Sequence, residues 1–344
     1  MIEAVHEENL AEFENYILLN PRGSYLQCSS WAEQNPSWHW RAYIRRNEYK
    51  RVTGVVSFLV RTIPVLPFQI LYAGRGPLYD IGDYDTLREL LGALRTAAAE
   101  ESAAIVRLDP PEDRSDKEVL ELYETLDYER VKHRGVGPAH PRHNWVIETA
   151  GLTWEKLQRG FSAAQLQNMR IALRHNVEIR RGGKGLAKAF GSLVERSALR
   201  DLRQAETADY FSGLMDSFGD RAKIYLACME NRPVAGAVMI LTGTRYECAA
   251  RVDLSNPSVH AMSLLQAAIV QAAADSGCDS VTFAGTDPDP ASDSYRLDSG
   301  LGGHAEDLIG ELDWYVKPIL GLVAKLVLRI SAWFTRWLYF IRIR

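Results

Sequence analysis

The chain has few cysteines and no pattern that would put them to chemical use. Its four cysteines lie far apart and form no C-x-x-C pair, which argues against a disulfide framework and against the spacing of a zinc site. The eight histidines are scattered, and the closest pair, His140 and His143, has no acid or thiol beside it. We therefore expect neither a bound metal nor structural disulfides.

The N-terminus lacks the charged and apolar pattern of a signal peptide, so a reduced cytosol is the expected compartment. The net charge of −4 argues against a dedicated nucleic-acid binder, yet residues 130–188 contain twelve Lys or Arg and only three acids. We call this segment the basic belt. It predicts binding of phosphates, whether on nucleic acid, nucleotide or lipid head group. The alternative is an ordinary solvated surface.

With 344 residues, of which 47% are apolar and 24% charged, the chain predicts a globular protein of two domains. Helical spacing covers residues 7–19, and a second short helix follows from Ser24. Alternating or β-branched runs predict strands at 52–60, 68–72 and 104–108, with a helix at 86–101 between the last two. After the belt, strands are predicted at 223–229, 234–242, 246–252 and 280–284, with a long helix before the last.

The two series of elements match at an offset of 182 residues. Tyr43 then faces Tyr225, and Gly54 faces Gly236. Each copy has antiparallel strands, a helix and one more strand, which is an α+β unit used twice. This order is typical of a GNAT-type acyltransferase, so the fold class is predicted as α+β with tandem GNAT-like domains and no long coiled-coil arm. The expected domains are 1–150 and 151–314, followed by a C-terminal helix at 315–344.

The turns of the repeat disfavour coenzyme A as the acyl donor. Such a site needs a glycine-rich turn between the central strand and the helix, because backbone N–H groups must approach the pyrophosphate. The second copy has R-V-D-L-S-N-P-S there, and the first has Pro77, which lacks the donor, behind its glycines.

Several segments together resemble the FemABX aminoacyltransferases. They are G-S-Y-L-Q with W-A near residue 27, the turn Y-A-G-R-G-P at 72–77, N-M-R-I-A-L-R at 168–174, and L-G-G-H-A-E-D-L-I-G-E-L-D-W-Y-V-K-P at 301–318. The resemblance runs across nearly the whole chain and implies transfer of an amino acid from aminoacyl-tRNA to the stem peptide of a peptidoglycan precursor. The implied acceptor is lipid II or a UDP-linked muropeptide. Aminoacyl-tRNA is the co-substrate, and no cofactor is expected.

The C-terminal segment carries six basic residues and no acid from Tyr315 onward. Cations interrupt every apolar run well short of the roughly 20 residues that span a bilayer. We therefore predict an amphipathic helix on an anionic membrane surface, with the enzyme peripheral at the inner face of the cell membrane. The alternative is a helix docked on this protein or on another subunit.

The first group of candidate site residues surrounds the Arg-Gly-Pro turn. Tyr72, Arg75 and Gly76 are predicted to shape the acceptor cleft, with the alternative that Arg75 only pairs with a nearby carboxylate such as Asp80. Asp80 itself is predicted to assist the acceptor amine or to contact the stem peptide. It is equally compatible with a plain surface acid.

The second group lies beyond the turn. Arg170 and Arg174 fall one turn apart on a predicted helix at 163–175, so both can face one phosphate group. The resemblance suggests that Tyr210 and Phe211 line the cleft, although core packing is the alternative.

The late segment departs from the family pattern. Asp298 stands where relatives have a lysine tied to activity, and Arg296 is predicted to supply the missing cation. This departure motivates a second hypothesis, a non-catalytic scaffold that binds the precursor. A coenzyme A-dependent acyltransferase is the third.

Overall fold

The structure is a computed structural model and describes residues 1–34, 38–62, 68–132, 140–200 and 206–316. Its contacts divide the chain into two compact units. The first contains Met1–Arg142 and the described residues from Asp307 onward, and the second contains His143–Glu306. Residues 143–150 therefore lie in the second unit and residues 307–314 in the first. The reason is strand pairing, since 143–148 joins one sheet and 312–315 joins the other.

The first unit holds a mixed sheet with helices. Its strands are β1 (Ile2–Ala4), β2 (His39–Arg46), β3 (Val52–Thr62), β4 (Gln69–Gly74), β5 (Leu78–Tyr79), β6 (Ala103–Asp109), β7 (Glu129–Arg130) and β15 (Leu312–Tyr315). Its helices are α1 (Leu10–Leu19), α2 (Ser29–Ala32), α3 (Tyr84–Glu100) and α4 (Lys117–Thr125).

The sheet of the first unit runs in the order β1-β2-β3-β4-β6-β15-β7, and β5 pairs with β3. Its parallel pair, β4 and β6, shifts register after Gln69 and then stays in register until Gly74 lies opposite Asp109. Helix α3 begins at the N-cap Asp83, whose carboxylate accepts from the Thr86 amide. One face of α3 is apolar at helical spacing and is fully buried. Arg75 directly follows the last residue of β4, at the end of the β4/β6 pair.

The second unit repeats this arrangement. Its strands are β8 (His143–Glu148), β9 (Glu178–Gly182), β10 (Ala222–Met229), β11 (Arg232–Thr242), β12 (Arg245–Asp253), β13 (Ser280–Ala284) and β14 (His304–Asp307). Its helices are α5 (Trp154–Gly160), α6 (Ala163–Arg174), α7 (Ala187–Arg200), α8 (Ala208–Phe218), α9 (Ala261–Asp275) and α10 (Asp293–Ser299).

The sheet of the second unit runs in the order β14-β8-β13-β12-β11-β10-β9. Here the parallel pairing of β12 with β13 covers only Arg245–Glu247 against Ser280–Thr282. Helix α9 packs against the core, with Leu265, Ile269 and Ala273 fully buried. Asn256 caps the short 3-10 turn before it, and Gly277 follows it with φ 73°.

The predicted repeat is real, but one of its matched pairs is not equivalent. A β-bulge follows Arg45 in the first hairpin and Ala227 in the second, at the predicted offset of 182. Gly54, however, faces α3, where an added Cβ would lie 2.5 Å from Thr86, whereas Gly236 faces Phe190 of α7. The hairpin registers differ by one residue, which turns the two glycines to opposite faces of their sheets.

The predicted strands and helices appear within a few residues of their expected bounds. The final strand was missed, since Tyr315 belongs to β15 rather than to the predicted C-terminal helix. Residues 317–344, which hold all six basic residues of that helix, lie outside the described residues. Within the described part, no helix has the length and apolar character needed to cross a bilayer.

Candidate functional site

The turn after β4 buries its arginine instead of exposing it. Arg75 adopts a left-handed backbone with φ 51°, and only 8% of the residue is exposed. Its Nη1 donates to Asp109 Oδ2 at 2.5 Å, and its Nη2 donates to the Pro141 carbonyl at 2.5 Å. The carboxylate that pairs with Arg75 is therefore Asp109, at the end of β6, and not Asp80.

The side chain of Gln27 fixes the turn after β4 by hydrogen bonds to the backbone. Its Nε2 donates to the Gly74 carbonyl at 2.7 Å and to the Ser57 carbonyl at 3.2 Å, and its Oε1 accepts from the Ser57 amide at 2.8 Å. A Cβ on Gly76 would lie 2.5 Å from the Gln27 amide nitrogen. Gly76 is therefore required by close packing, and its predicted contact with substrate stays a prediction.

Asp109 is buried but only partly satisfied. Its Oδ1 has no hydrogen-bond partner within the described residues. Burial raises the pKa of Asp109 to about 6, the nearby Arg75 charge opposes that rise, and the Glu311 charge adds to it. A carboxyl with this pKa changes protonation close to physiological pH, as acid–base groups in active sites do.

Tyr72 lies beside the same charges. Burial raises the pKa of its hydroxyl, and the charges of Asp109 and Glu311 add to the effect. The hydroxyl has no partner in the described part of the chain. We call Tyr72, Arg75, Asp109 and Glu311 the Arg75 cluster. It combines two buried polar groups that lack partners with a fixed cation, which is typical of a functional site.

Aromatic rings cover one side of this cluster. His140 stacks on Tyr72 with 6.1 Å between ring centroids, and Trp31 meets His140 edge-on at 6.0 Å. Burial and the Arg75 charge lower the pKa of His140 to about 3. The imidazole is therefore neutral at physiological pH and serves as a flat packing surface.

Asp80 lies apart from the Arg75 cluster. Its carboxylate is exposed, and its Oδ1 accepts from the Tyr16 hydroxyl at 2.9 Å. It makes no ion pair among the residues that the structure describes. Its predicted role towards an amine stays a prediction.

Arg170 and Arg174 are exposed on α6, as predicted from their spacing. The helix begins at the N-cap Ser162, which accepts from the Gln165 amide at 3.1 Å. Within the described ranges, neither guanidinium contacts a carboxylate, so the charges of both are available to an anion. The exposed Leu173 lies beside them. Phosphate binding by this pair stays a prediction.

Tyr210 and Phe211 occupy different environments on α8. Phe211 is 1% exposed and packs edge-on against Phe190 at 4.7 Å. The contact with Phe190 makes Phe211 part of the core, and its predicted cleft-lining role stays a prediction. Tyr210 is partly exposed and packs against Phe211 at 5.3 Å.

Arg296 and Asp298, both on α10, lie in different environments. Asp298 is fully buried and accepts from Arg251 Nη1 at 2.6 Å and Nη2 at 2.9 Å, from Gln266 Nε2 at 2.7 Å and from Thr286 Oγ1 at 2.6 Å. The Arg296 side chain is 64% exposed and donates to the carbonyl of Ala291. The expectation that Arg296 reaches the space of Asp298 is therefore wrong. The cation beside Asp298 is Arg251.

The sequence analysis assigned no site role to Asp109, Gln27 or Arg251, although Gln27 lies in one of the segments that resemble the FemABX family. Asp109 closes the strand in the tripeptide D-P-P, where it resembled a strand terminator. Gln27 and Arg251 acquire partners far along the chain, 30 and 47 residues away. Spacing within one segment does not reveal such contacts.

Comparison with known proteins places this arrangement in a wider group. The family model described as "FemAB family" matches residues 9–232. A curated relative, "Lipid II:glycine glycyltransferase" of Staphylococcus epidermidis, is 26% identical over 240 residues, which cover 66% of this chain and 56% of the relative. The match thus spans little more than half the length of that relative.

Two solved structures show the same fold. "Crystal structure of FemX" matches with a TM-score of 0.79 and 18% identity, and covers 93% of this chain and 99% of the other. A "Tandem GNAT protein from the clavulanic acid biosynthesis pathway (without AcCoA)" matches with a TM-score of 0.58 and 13% identity, and covers 92% and 99%. The tandem GNAT-like fold predicted from the repeat is confirmed.

Proposed function

Because this chain belongs to the FemAB family, we propose that it is an aminoacyltransferase, which moves an amino acid from aminoacyl-tRNA onto an amine of a peptidoglycan-precursor stem peptide. The names of its curated relatives support lipid II as the acceptor class. The structural observation that carries the proposal is the Arg75 cluster, with a buried carboxyl whose pKa is about 6.

The reaction makes simple demands on the protein. The acceptor ammonium loses a proton, and its nitrogen attacks the ester carbonyl of the aminoacyl-tRNA. The resulting oxyanion collapses as the ester C–O bond breaks, and the tRNA hydroxyl leaves with a proton. These steps need positioning, a base and stabilisation of the oxyanion, and none requires a metal or redox cofactor.

Asp109 is the group best suited to receive the proton. A carboxylate with a pKa near 6 is a stronger base than an ordinary one and is still ionised at pH 7. Its unpartnered Oδ1 offers an acceptor position, while Arg75 fixes the other oxygen. The basic belt and the exposed Arg170 and Arg174 supply attraction for polyanionic substrates. We place the enzyme at the inner face of the membrane, with residues 317–344 as the proposed contact.

The test is a transfer assay with purified lipid II and a pool of aminoacyl-tRNAs, with the product identified by mass spectrometry. We expect an extended stem peptide, and we expect Asp109→Asn to lower kcat/KM about 10²-fold or more at pH 7. Asp85→Asn, which alters an exposed carboxylate on α3, is the matched control.

Two outcomes would overturn the proposal. Binding of lipid II without transfer from any aminoacyl-tRNA would identify a precursor-binding scaffold instead. Transfer from acetyl coenzyme A at comparable rates would identify a different acyl donor.

A further inference from the structure

The first unit contains a cavity that the Arg75 cluster does not line. It has a volume of about 440 Å³ and lies beside the C-terminal half of α1 and the residues that follow β5. This volume falls within the range of roughly 300–1,000 Å³ that is usual for small-molecule sites. Near the lower end of that range, it suits a ligand the size of an amino acid or a dipeptide.

Large aliphatic side chains line the cavity and remain exposed. Leu19 is 74% exposed and Ile81 is 75% exposed. The buried Tyr79 also lines the cavity, and the guanidinium of Arg22 stacks 4.5 Å from the centre of its ring. An apolar part of a ligand would cover these two aliphatic groups and remove their surface from water.

Two opposite charges of the cavity are available to a ligand. Glu12 is already paired, because its carboxylate accepts from Arg46 at 2.7 Å. The guanidinium of Arg51 meets no carboxylate within the described residues, although the Asn47 side chain fixes its backbone at 3.0 Å. Among the residues that the structure describes, the only side chain that donates to the Asp80 carboxylate is the hydroxyl of Tyr16, at 2.9 Å.

Tyr16 keeps Asp80 in place. Its hydroxyl also lies 2.7 Å from the carbonyl of Thr53 on β3. Burial raises the pKa of Tyr16, and Asp80 adds to the effect, so the hydroxyl remains a neutral donor. One carboxylate oxygen of Asp80 is thus fixed, and the other is left for a donor in the cavity.

We propose that this cavity binds the amino acid group of an apolar α-amino acid or short peptide, with its ammonium on Asp80, its carboxylate on Arg51 and its side chain against Leu19 and Ile81. A ligand with a single charge would be attracted by one of these residues and repelled by the other. A zwitterion satisfies both. The inference does not depend on the transfer reaction, and neither does its test.

The experiment compares four ligands by isothermal titration calorimetry on the full chain. L-Leucine carries both charges, N-acetyl-L-leucine lacks the ammonium, and L-leucinamide lacks the carboxylate. We expect each of the two analogues to bind about tenfold more weakly than leucine, or worse. Leucyl-leucine distinguishes the two sources, since tighter binding of the dipeptide would identify a peptide end and tighter binding of leucine a free amino acid.

Two variants then test which residue binds each charged group of the ligand. In Arg51→Gln, leucine and leucinamide should bind equally, because only the carboxylate contact is lost. In Asp80→Asn, leucine and N-acetyl-leucine should bind equally. Arg88→Gln and Asp85→Asn change exposed charges of the same unit that do not line the cavity, and they should bind as the parent protein does.

Three results would overturn the assignment. They are an absence of binding by both leucine and leucyl-leucine, equal binding of leucine and its two analogues to the parent protein, and unchanged selectivity in both variants. Because these measurements involve no tRNA and no lipid II, they remain decisive whatever the transfer assay shows.

Discussion

Each unit of this protein buries an arginine–aspartate pair near the end of a corresponding strand, but the two pairs are satisfied to different degrees. In the first unit Arg75, directly after β4, donates one hydrogen bond to Asp109. In the second unit Arg251, on β12, donates two to Asp298. The repeated fold thus uses the same charge chemistry twice at related places.

The difference lies in the remaining acceptor capacity of each carboxylate. Asp298 also receives the Gln266 amide and the Thr286 hydroxyl, so both of its oxygens are doubly occupied. Asp109 has an oxygen with no partner among the described residues, and its pKa is raised. A buried carboxylate whose oxygens all accept hydrogen bonds holds its neighbours in place. A buried carboxylate with an oxygen that lacks a partner can still accept a hydrogen bond from a ligand or bind a proton. The comparison therefore supports a structural role for Asp298 and the proposed catalytic role of Asp109.

Removing Asp298 should have the largest effect on stability. In Asp298→Ala the guanidinium of Arg251 stays buried without its counter-charge, and Gln266 and Thr286 lose their acceptor. We expect the free energy of unfolding to fall by about 3–5 kcal/mol, measured by urea denaturation. Asp85→Ala, at an exposed ion pair, should cost less than about 1 kcal/mol. Equal losses in both variants would contradict the structural role of Asp298.

Replacing Asp109 should change how stability depends on pH. A carboxyl whose pKa rises on folding, here from 3.8 to about 6, stabilises the folded state fully below its unfolded pKa, and this contribution is lost as pH rises through about 6. The stability of the parent relative to Asp109→Asn should therefore fall between pH 4 and pH 7, by up to about 3 kcal/mol. Parallel pH profiles for the two proteins would show that Asp109 is not perturbed.

Alanine substitutions at one glycine of each unit should differ in their effect on stability. In Gly76→Ala the new Cβ meets the amide of Gln27, which three hydrogen bonds hold in place, so we expect a loss of about 1–3 kcal/mol. In Gly236→Ala the nearest atoms are Cδ2 of Leu226 and Cδ2 of Phe190 at 2.9 Å and the carbonyl oxygen of Tyr225 at 3.0 Å, which is a less severe overlap than the 2.5 Å contact at Gly76. A smaller loss should follow, and thermal unfolding of both variants measures the difference.

Substitution of Glu311, whose charge acts on Asp109, should have a smaller effect, confined to the pKa of Asp109. The Glu311 charge raises the pKa of Asp109, so Glu311→Gln should lower it. If Asp109 accepts the proton from the amine, the acid limb of the pH profile of kcat/KM should move below pH 6 in this variant, by less than about one pH unit. An unmoved limb would assign the limb to another group.

The sequence predicts the features of this protein that depend on residues close together in the chain, and it fails for contacts between distant residues. Caps, periodic faces and strand runs are local, and they placed α3, α6 and both hairpins correctly. The register of a hairpin is not local, so Gly54 and Gly236 were matched although they face opposite sides. The candidate site shows the same limit. The turn predicted a role for Arg75, but its partner Asp109 lies 34 residues away. At Asp298 the sequence shows only an acid in place of the lysine of relatives, because its partner Arg251 lies 47 residues away.

The exposed arginines of α6 test the surface of the second unit instead of its core. Arg170→Gln with Arg174→Gln should change the free energy of unfolding by less than about 0.5 kcal/mol, because both side chains are exposed and unpaired within the described residues. If both contact phosphates, the affinity for tRNA should fall, and the slope of log K against log salt concentration should decrease by about two. Arg88→Gln with Lys223→Gln is the matched control, since both cations lie outside the basic belt and already pair with aspartates. An unchanged salt slope in the arginine variant would remove α6 from the polyanion surface and leave the rest of the basic belt to carry it.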